Sequence, residues 1–230
     1  MLFLLALLLV LSLILGPQLW IRWVMRKHDT PVASMPGTGG ELAQHLIDRF
    51  EIHGVTVETT PQGDHYDPAN RAVRLSDEVF HGRSVTAVAV AAHEVGHAIQ
   101  YHRQEAITRL RQRYLPLATT IQRLAVTLLF AIPLVVAIFR VPHAALLTAV
   151  IGVAAMLVAV LIQLVILPLE WDASFNKAMP ILIKGNYLPP ELHDAARQVL
   201  KAAALTYVAA ALMDMLRLGR WLAILKGSIR

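Results

Sequence analysis

Ala89-Val90-Ala91-Ala92-His93-Glu94-Val95-Gly96-His97-Ala98-Ile99-Gln100 is the stretch on which the reading of this 230-residue chain turns. Apolar residues run through it at helical spacing from Ser84, a residue type that caps helix N-termini, by way of Val85, Val88 and Val95 to Ile99. In a helix, positions four apart lie one turn apart on one face, so His93 and His97 can direct two imidazoles at one metal ion. Glu94 projects beside them, able to reach a water on that ion but poorly placed to replace either ligand. Two neutral ligands and a proton-accepting carboxylate are what a zinc hydrolase requires. The small residues Ala91, Ala92 and Gly96 let other backbone or substrate approach the helix closely.

The chain has no cysteine, so a metal must be held by nitrogen and oxygen, and ten histidines make Zn2+ the expected ion. Catalytic zinc takes three protein ligands and keeps one position open. The third ligand expected here is Glu170, where an apolar run ends in Leu167-Pro168-Leu169-Glu170-Trp171-Asp172-Ala173-Ser174. Asp172, two positions on, points away from Glu170 if the segment is helical. Asp172 or Ser174 is expected to support a ligand imidazole, because metal-bound histidines donate their other N–H. The reaction expected of such a site is peptide hydrolysis, with zinc polarising the scissile carbonyl and Glu94 carrying the proton from water to the leaving amine. The oxyanion donor stays open among His65, Tyr66, His102, His193 and Tyr207.

The hydrophobic share of 56% gathers in blocks, which points to a membrane chain rather than one rich core. Leu2 to Val24, uncharged until Arg22, reads as an uncleaved anchor with Arg26 and Lys27 directly after it and Trp20 and Trp23 placed as interfacial residues. Leu124 to Phe139 and Ala144 to Leu169 carry no charge and are joined by Arg140, Val141, Pro142 and His143, which reads as a membrane hairpin. Ala202 to Leu225 is interrupted by Asp214, Arg217 and Arg220 and stays open as a fourth span, an interfacial helix or a buried one. Between anchor and histidines come a polar linker with Pro31 and Pro36, a helix over Glu41 to Ile52, and short strands at Val55 to Thr59 and Ala72 to Leu75. The edge of the second strand is expected to pair with extended substrate.

The expected fold is therefore a mainly α membrane protein, three or four transmembrane helices with a small α+β zincin-like catalytic region. Its expected divisions are an anchor at 1–24, a catalytic region at 25–117, a hairpin at 118–169 and a third-ligand and C-terminal helical region at 170–230. Basic residues concentrate on the side of the histidines, which places that side in the cytoplasm. The net charge of +5 does not form a patch interleaved with aromatics, so nucleic acid is not an expected partner. The expected partners are the lipid bilayer and a peptide or membrane-protein substrate. Two alternatives accompany this reading. One is an intramembrane, site-2-type protease using Asp214, since Ser84 to Tyr101 is itself apolar; the other is a zinc-binding membrane adaptor without turnover.

The segments His65-Tyr66-Asp67-Pro68, Arg74-Leu75-Ser76, residues 89 to 100, residues 167 to 174 and Ala202 to Ala210 together resemble the YugP-like putative neutral zinc metallopeptidases of bacterial membranes. That resemblance covers nearly the whole chain. It implies a plasma-membrane peptidase of bacteria with a cytoplasmic site ligated by His93, His97 and Glu170. More distantly, the insertion between motif and third ligand is similar to membrane gluzincins, which show Glu-x-x-x-Asp at the third ligand. Ser174 stands where that pattern has its aspartate, so that second carboxylate does not carry over.

Overall fold

The computed structural model of the protein describes residues 2–139, 142–210 and 212–213. Eight helices and three strands succeed one another among them: α1 (Leu2–Lys27), α2 (Gly39–Arg49), β1 (Thr56–Thr59), β2 (His65–Asp67), β3 (Ala72–Leu75), α3 (Asp77–His81), α4 (Val85–His102), α5 (Thr108–Phe139), α6 (Pro142–Trp171), α7 (Met179–Lys184) and α8 (His193–Ala204). A π-helical segment, Asp172–Ala178, joins α6 to α7. The chain divides into two compact units. A helical unit takes in the described parts of 1–18, 110–167 and 207–230, and a mixed unit holds 19–109 and 168–206.

In the helical unit Ala118, Ala125, Ile162 and Ile166 are buried, while Leu5, Leu8, Leu9 and Leu13 of α1 stand exposed. The hydroxyls of Thr120 and Thr127 turn back to the carbonyls of Pro116 and Arg123, so these polar side chains are satisfied within their own helix.

Among the described residues, no helix is both long and apolar enough to cross a membrane. This overturns the three or four expected spans and, with them, the membrane hairpin. The N-terminal half of α5 carries Arg109, Arg111, Arg113 and Arg123, and the apolar run after them is shorter than the roughly 20 residues a span takes. In α1, Gly16, Pro17 and Gln18 interrupt the leucines. Counting basic residues on two sides of a bilayer loses its basis with the spans. The expected turn at Arg140 and Val141, and Asp214, Arg217 and Arg220 of the last block, lie outside the described residues.

The mixed unit is built around α4. Every residue of α4 from Val85 to Gln100 is buried, because α2, α3, α7, α8, the π-helical segment and strands β2 and β3 all pack on it. A helix apolar on every side is one covered on every side, and protein covers this one. Its start is capped by Ser84, whose hydroxyl oxygen accepts the Ala87 N–H at 3.0 Å and whose O–H donates to Asp29 Oδ1 at 2.8 Å. The helix expected over Glu41 to Ile52 begins two residues earlier. Thr38 and Glu41 form a capping box there, the Thr38 N–H donating to Glu41 Oε2 at 2.8 Å and the Glu41 N–H to Thr38 Oγ1 at 3.2 Å.

The sheet has the order β1-β3-β2, with β1 parallel and β2 antiparallel to β3. The strand expected at Ala72 to Leu75 forms with those bounds, but it is the central strand. Both its edges are taken, so the expected pairing of this strand with substrate is overturned.

Candidate metal centre

His93 and His97 leave α4 on the face turned toward the end of α6, where Glu170 stands. The three residues are 3%, 1% and 1% exposed, and one ligand atom from each lies within 4.8 Å of the others. Glu170 Oε2 is 3.1 Å from Nε2 of His97 and 3.4 Å from Nε2 of His93. The two rings stand 4.7 Å apart, nearly perpendicular. Close approach of the segments depends on Gly96: a Cβ there would lie 2.8 Å from the Ala173 carbonyl oxygen. The small-residue face of α4 thus receives backbone of the π-helical segment.

Each imidazole is held from behind through Nδ1. For His93 the partner is Ser174, whose O–H donates to the Leu200 carbonyl at 3.0 Å. The hydroxyl oxygen is left to accept the His93 Nδ1–H at 2.9 Å. For His97 the partner is Gln100, whose amide nitrogen donates to the Leu169 carbonyl at 3.0 Å and to Asp172 Oδ2 at 2.8 Å. These two acceptors fix the amide so that its oxygen accepts the His97 Nδ1–H at 2.9 Å. A neutral imidazole that donates through Nδ1 presents a lone pair at Nε2. Both lone pairs then face the space beside Glu170, with a carboxylate oxygen as the third donor. Two imidazole nitrogens and one carboxylate, cleared of water and fixed in tautomer, suit a zinc ion.

Burial pushes the Glu170 carboxyl up, but the two imidazoles, when they carry a proton at Nε2 as well, more than reverse this through the charge of His97 and hydrogen bonds from both rings, and hold it well below the usual carboxylate range. Asp172 is raised by burial and lowered further by hydrogen bonds from Gln100, Lys177 and Asn176, ending below its ordinary value. Lys177 lies between Asp172 and Glu105, 2.8 Å from Glu105 Oε2.

Asp172 therefore reaches His97 only through Gln100, whereas Ser174 touches His93 directly. Ser174 follows Glu170 by four residues and lies on the same side of the segment, whereas Asp172 follows it by two and does not. Gln100 went unrecognised in the sequence, where it reads as a polar helix exit. Its signal was its place three residues after His97, on the same face of an otherwise apolar helix.

Glu94 is 7% exposed, and its Oε2 accepts the Tyr66 backbone N–H at 2.8 Å. Tyr66 belongs to β2, a strand set among the turn-forming residues Pro61, Gly63 and Pro68. Nearby Asp64 accepts the Ser76 N–H and O–H at 2.7 and 2.9 Å. Burial raises its carboxyl despite those bonds, and the Glu94 charge raises it further. Of the five candidate oxyanion donors, Tyr66 is the one tied to Glu94, and its ring packs against Tyr101. His65 bonds the Gly63 carbonyl, His193 the Leu188 carbonyl, and the Tyr207 hydroxyl accepts from Arg111 at 3.0 Å, while His102 is exposed.

Residues 2–226 match a family described as "Putative neutral zinc metallopeptidase". The chain is 34% identical over 216 residues to a protein of Bacillus subtilis (strain 168) named "Putative membrane protease YugP", covering 91% of this chain and 92% of that protein. No solved structure matches the chain.

Proposed function

The chain belongs to the putative neutral zinc metallopeptidase family, and from that premise we propose that it is a membrane-bound, zinc-dependent metalloendopeptidase with Glu94 as its general base. His93, His97 and Glu170 would hold the zinc. The observation that carries this reading is the convergence of two tautomer-fixed Nε2 atoms on a buried carboxylate, with a second buried carboxylate one residue along the same helix. Bound zinc supplies Lewis-acid polarisation of the scissile carbonyl and of the attacking water. Glu94 takes the proton from that water and returns it to the leaving amine. The Tyr66 N–H holds one oxygen of Glu94 and leaves the other for the proton. Leu169, Ala173 and the buried turns of α4 keep bulk water from the centre.

The name of the Bacillus relative supports membrane attachment. So does the exposed row Leu5, Leu8, Leu9 and Leu13 along α1, which offers apolar surface to a bilayer. Arg22, Arg26 and Lys27 at the far end of α1 suit the anionic headgroups of the cytoplasmic leaflet of a bacterial plasma membrane. The substrate in this reading is a peptide or a membrane protein.

Glu94→Gln tests the core of it. Cleavage of a fluorogenic peptide library should fall by roughly 10²–10⁴-fold, the contribution of a general base, while zinc content stays native. Native turnover in that variant would exclude Glu94 from the chemistry. A zinc-loaded native protein that cleaves nothing would favour a non-enzymatic role.

A further inference from the structure

The mixed unit carries a concavity of about 270 Å³ away from the metal ligands, lined by Arg49, Arg103, Lys177 and Lys184 together with Asn176 and the ring of Tyr187. No acidic side chain lines it. Lys177 is already neutralised by Glu105 and Asp172. Among the described residues, Arg49, Arg103 and Lys184 form no ion pair. Arg49 is nonetheless held in place: its guanidinium donates to the Tyr187 hydroxyl at 2.7 Å and lies 5.9 Å from the centre of that ring. Three uncompensated cations around one concave surface repel each other, and a single multiply charged anion relieves all three.

We propose that this cavity is a binding site for a phosphate-type dianion, separate from the metal centre. The donor set favours phosphate over carboxylate. Two guanidinium forks and an ammonium, with the Asn176 amide beside them, offer more donors than the two oxygens of a carboxylate can accept. The cavity is also connected to the histidines. Lys177 and Asn176 line it and both hold Asp172, which holds Gln100, which holds His97. The wall that an anion would touch lies three hydrogen bonds behind a ligand imidazole. Its source is either a soluble phosphate compound or the headgroup of an anionic phospholipid.

The test compares the full chain with the double variant Arg103→Gln/Lys184→Gln. Both side chains are exposed and belong to no part of the metal centre, so melting temperature and zinc content should match the native protein. Inorganic phosphate titrated calorimetrically at constant ionic strength should bind the native chain saturably and the variant about tenfold or more weakly, as two charge-assisted contacts are lost. Co-sedimentation with phosphatidylcholine vesicles, with and without phosphatidic acid, separates the sources. Variant-sensitive sedimentation that requires phosphatidic acid identifies a headgroup site, and variant-sensitive binding of inorganic phosphate alone identifies a soluble ligand. Native and variant behaving alike toward both probes would overturn the proposal. Because the readout is binding, that failure is distinct from failure of the peptidase reading.

Discussion

The two histidines of the metal centre look equivalent in sequence and are supported in different ways. Behind His93 lies a neutral pair of bonds, through the Ser174 hydroxyl to a backbone carbonyl. Behind His97 lies a polarised series, Gln100 to Asp172 to Lys177 to Glu105, that ends in two carboxylates sharing one ammonium. The first support is short and uncharged. The second draws on charge at its far end and reaches the wall of the basic cavity. One imidazole is thus held by local packing of α8 and the π-helical segment, and the other by a network that an outside anion can touch. A network of charged groups in a half-buried setting polarises each bond along it more than isolated neutral bonds do.

The comparison can be broken outright at the residue the two arms share. Glu170→Gln should abolish zinc retention, because an amide oxygen carries no charge to hold the ion; metal analysis after gel filtration reads this directly, and a native zinc content would remove Glu170 from the centre. The arms themselves are separated by Gln100→Ala and Ser174→Ala. Loss of an outer partner costs about 10–100-fold in metal affinity, and Gln100→Ala should fall at the upper end and Ser174→Ala at the lower. Equal losses in a competitive chelator titration would show that the two arms support their imidazoles alike.

Both arms depend on the approach of α4 to the π-helical segment. In Gly96→Ala the new Cβ meets the Ala173 carbonyl at 2.8 Å, a backbone contact that cannot swing aside. Thermal unfolding should show a loss of about 1–3 kcal/mol, the range for overpacking. An unchanged melting temperature would mean that the two segments are free to separate.

The smallest expected effect concerns acid. Asp172 has a folded-state value below its ordinary one. A depressed carboxylate contributes stability that is full above its unfolded value near 3.8 and is lost as pH falls through the folded value. Asp172→Asn should therefore flatten the decline of melting temperature below about pH 4, leaving the neutral-pH difference to the lost hydrogen bonds. A parallel decline in both proteins would show that Asp172 ionisation contributes nothing to that slope.

Much of the local structure was legible in the residues. The Ser84 cap, the course of α4 and the bounds of β3 follow from patterns a few residues long. The position of β3 did not, because a strand becomes central only when its neighbours arrive, and β2 hid among Pro61, Gly63 and Pro68. The apolar stretch Ser84 to Tyr101, which admitted an intramembrane reading, misled in another way. Apolarity around a helix says that something covers it, and for α4 that cover is the rest of the mixed unit. The basic cavity could not be read at all, since Arg49, Arg103 and Lys184 come from three distant segments.

By itself, the sequence determined the candidate donor set: the absence of thiols, two histidines one helical turn apart and a carboxylate between them are settled by composition and by the pitch of a helix. Only the tertiary structure decided how the centre is supported. That Ser174 stands behind His93, and that Leu169 and Asp172 orient the Gln100 amide behind His97, depends on contacts between segments some 70 to 80 residues apart. No local periodicity encodes such contacts, because they exist only once α4 has been covered.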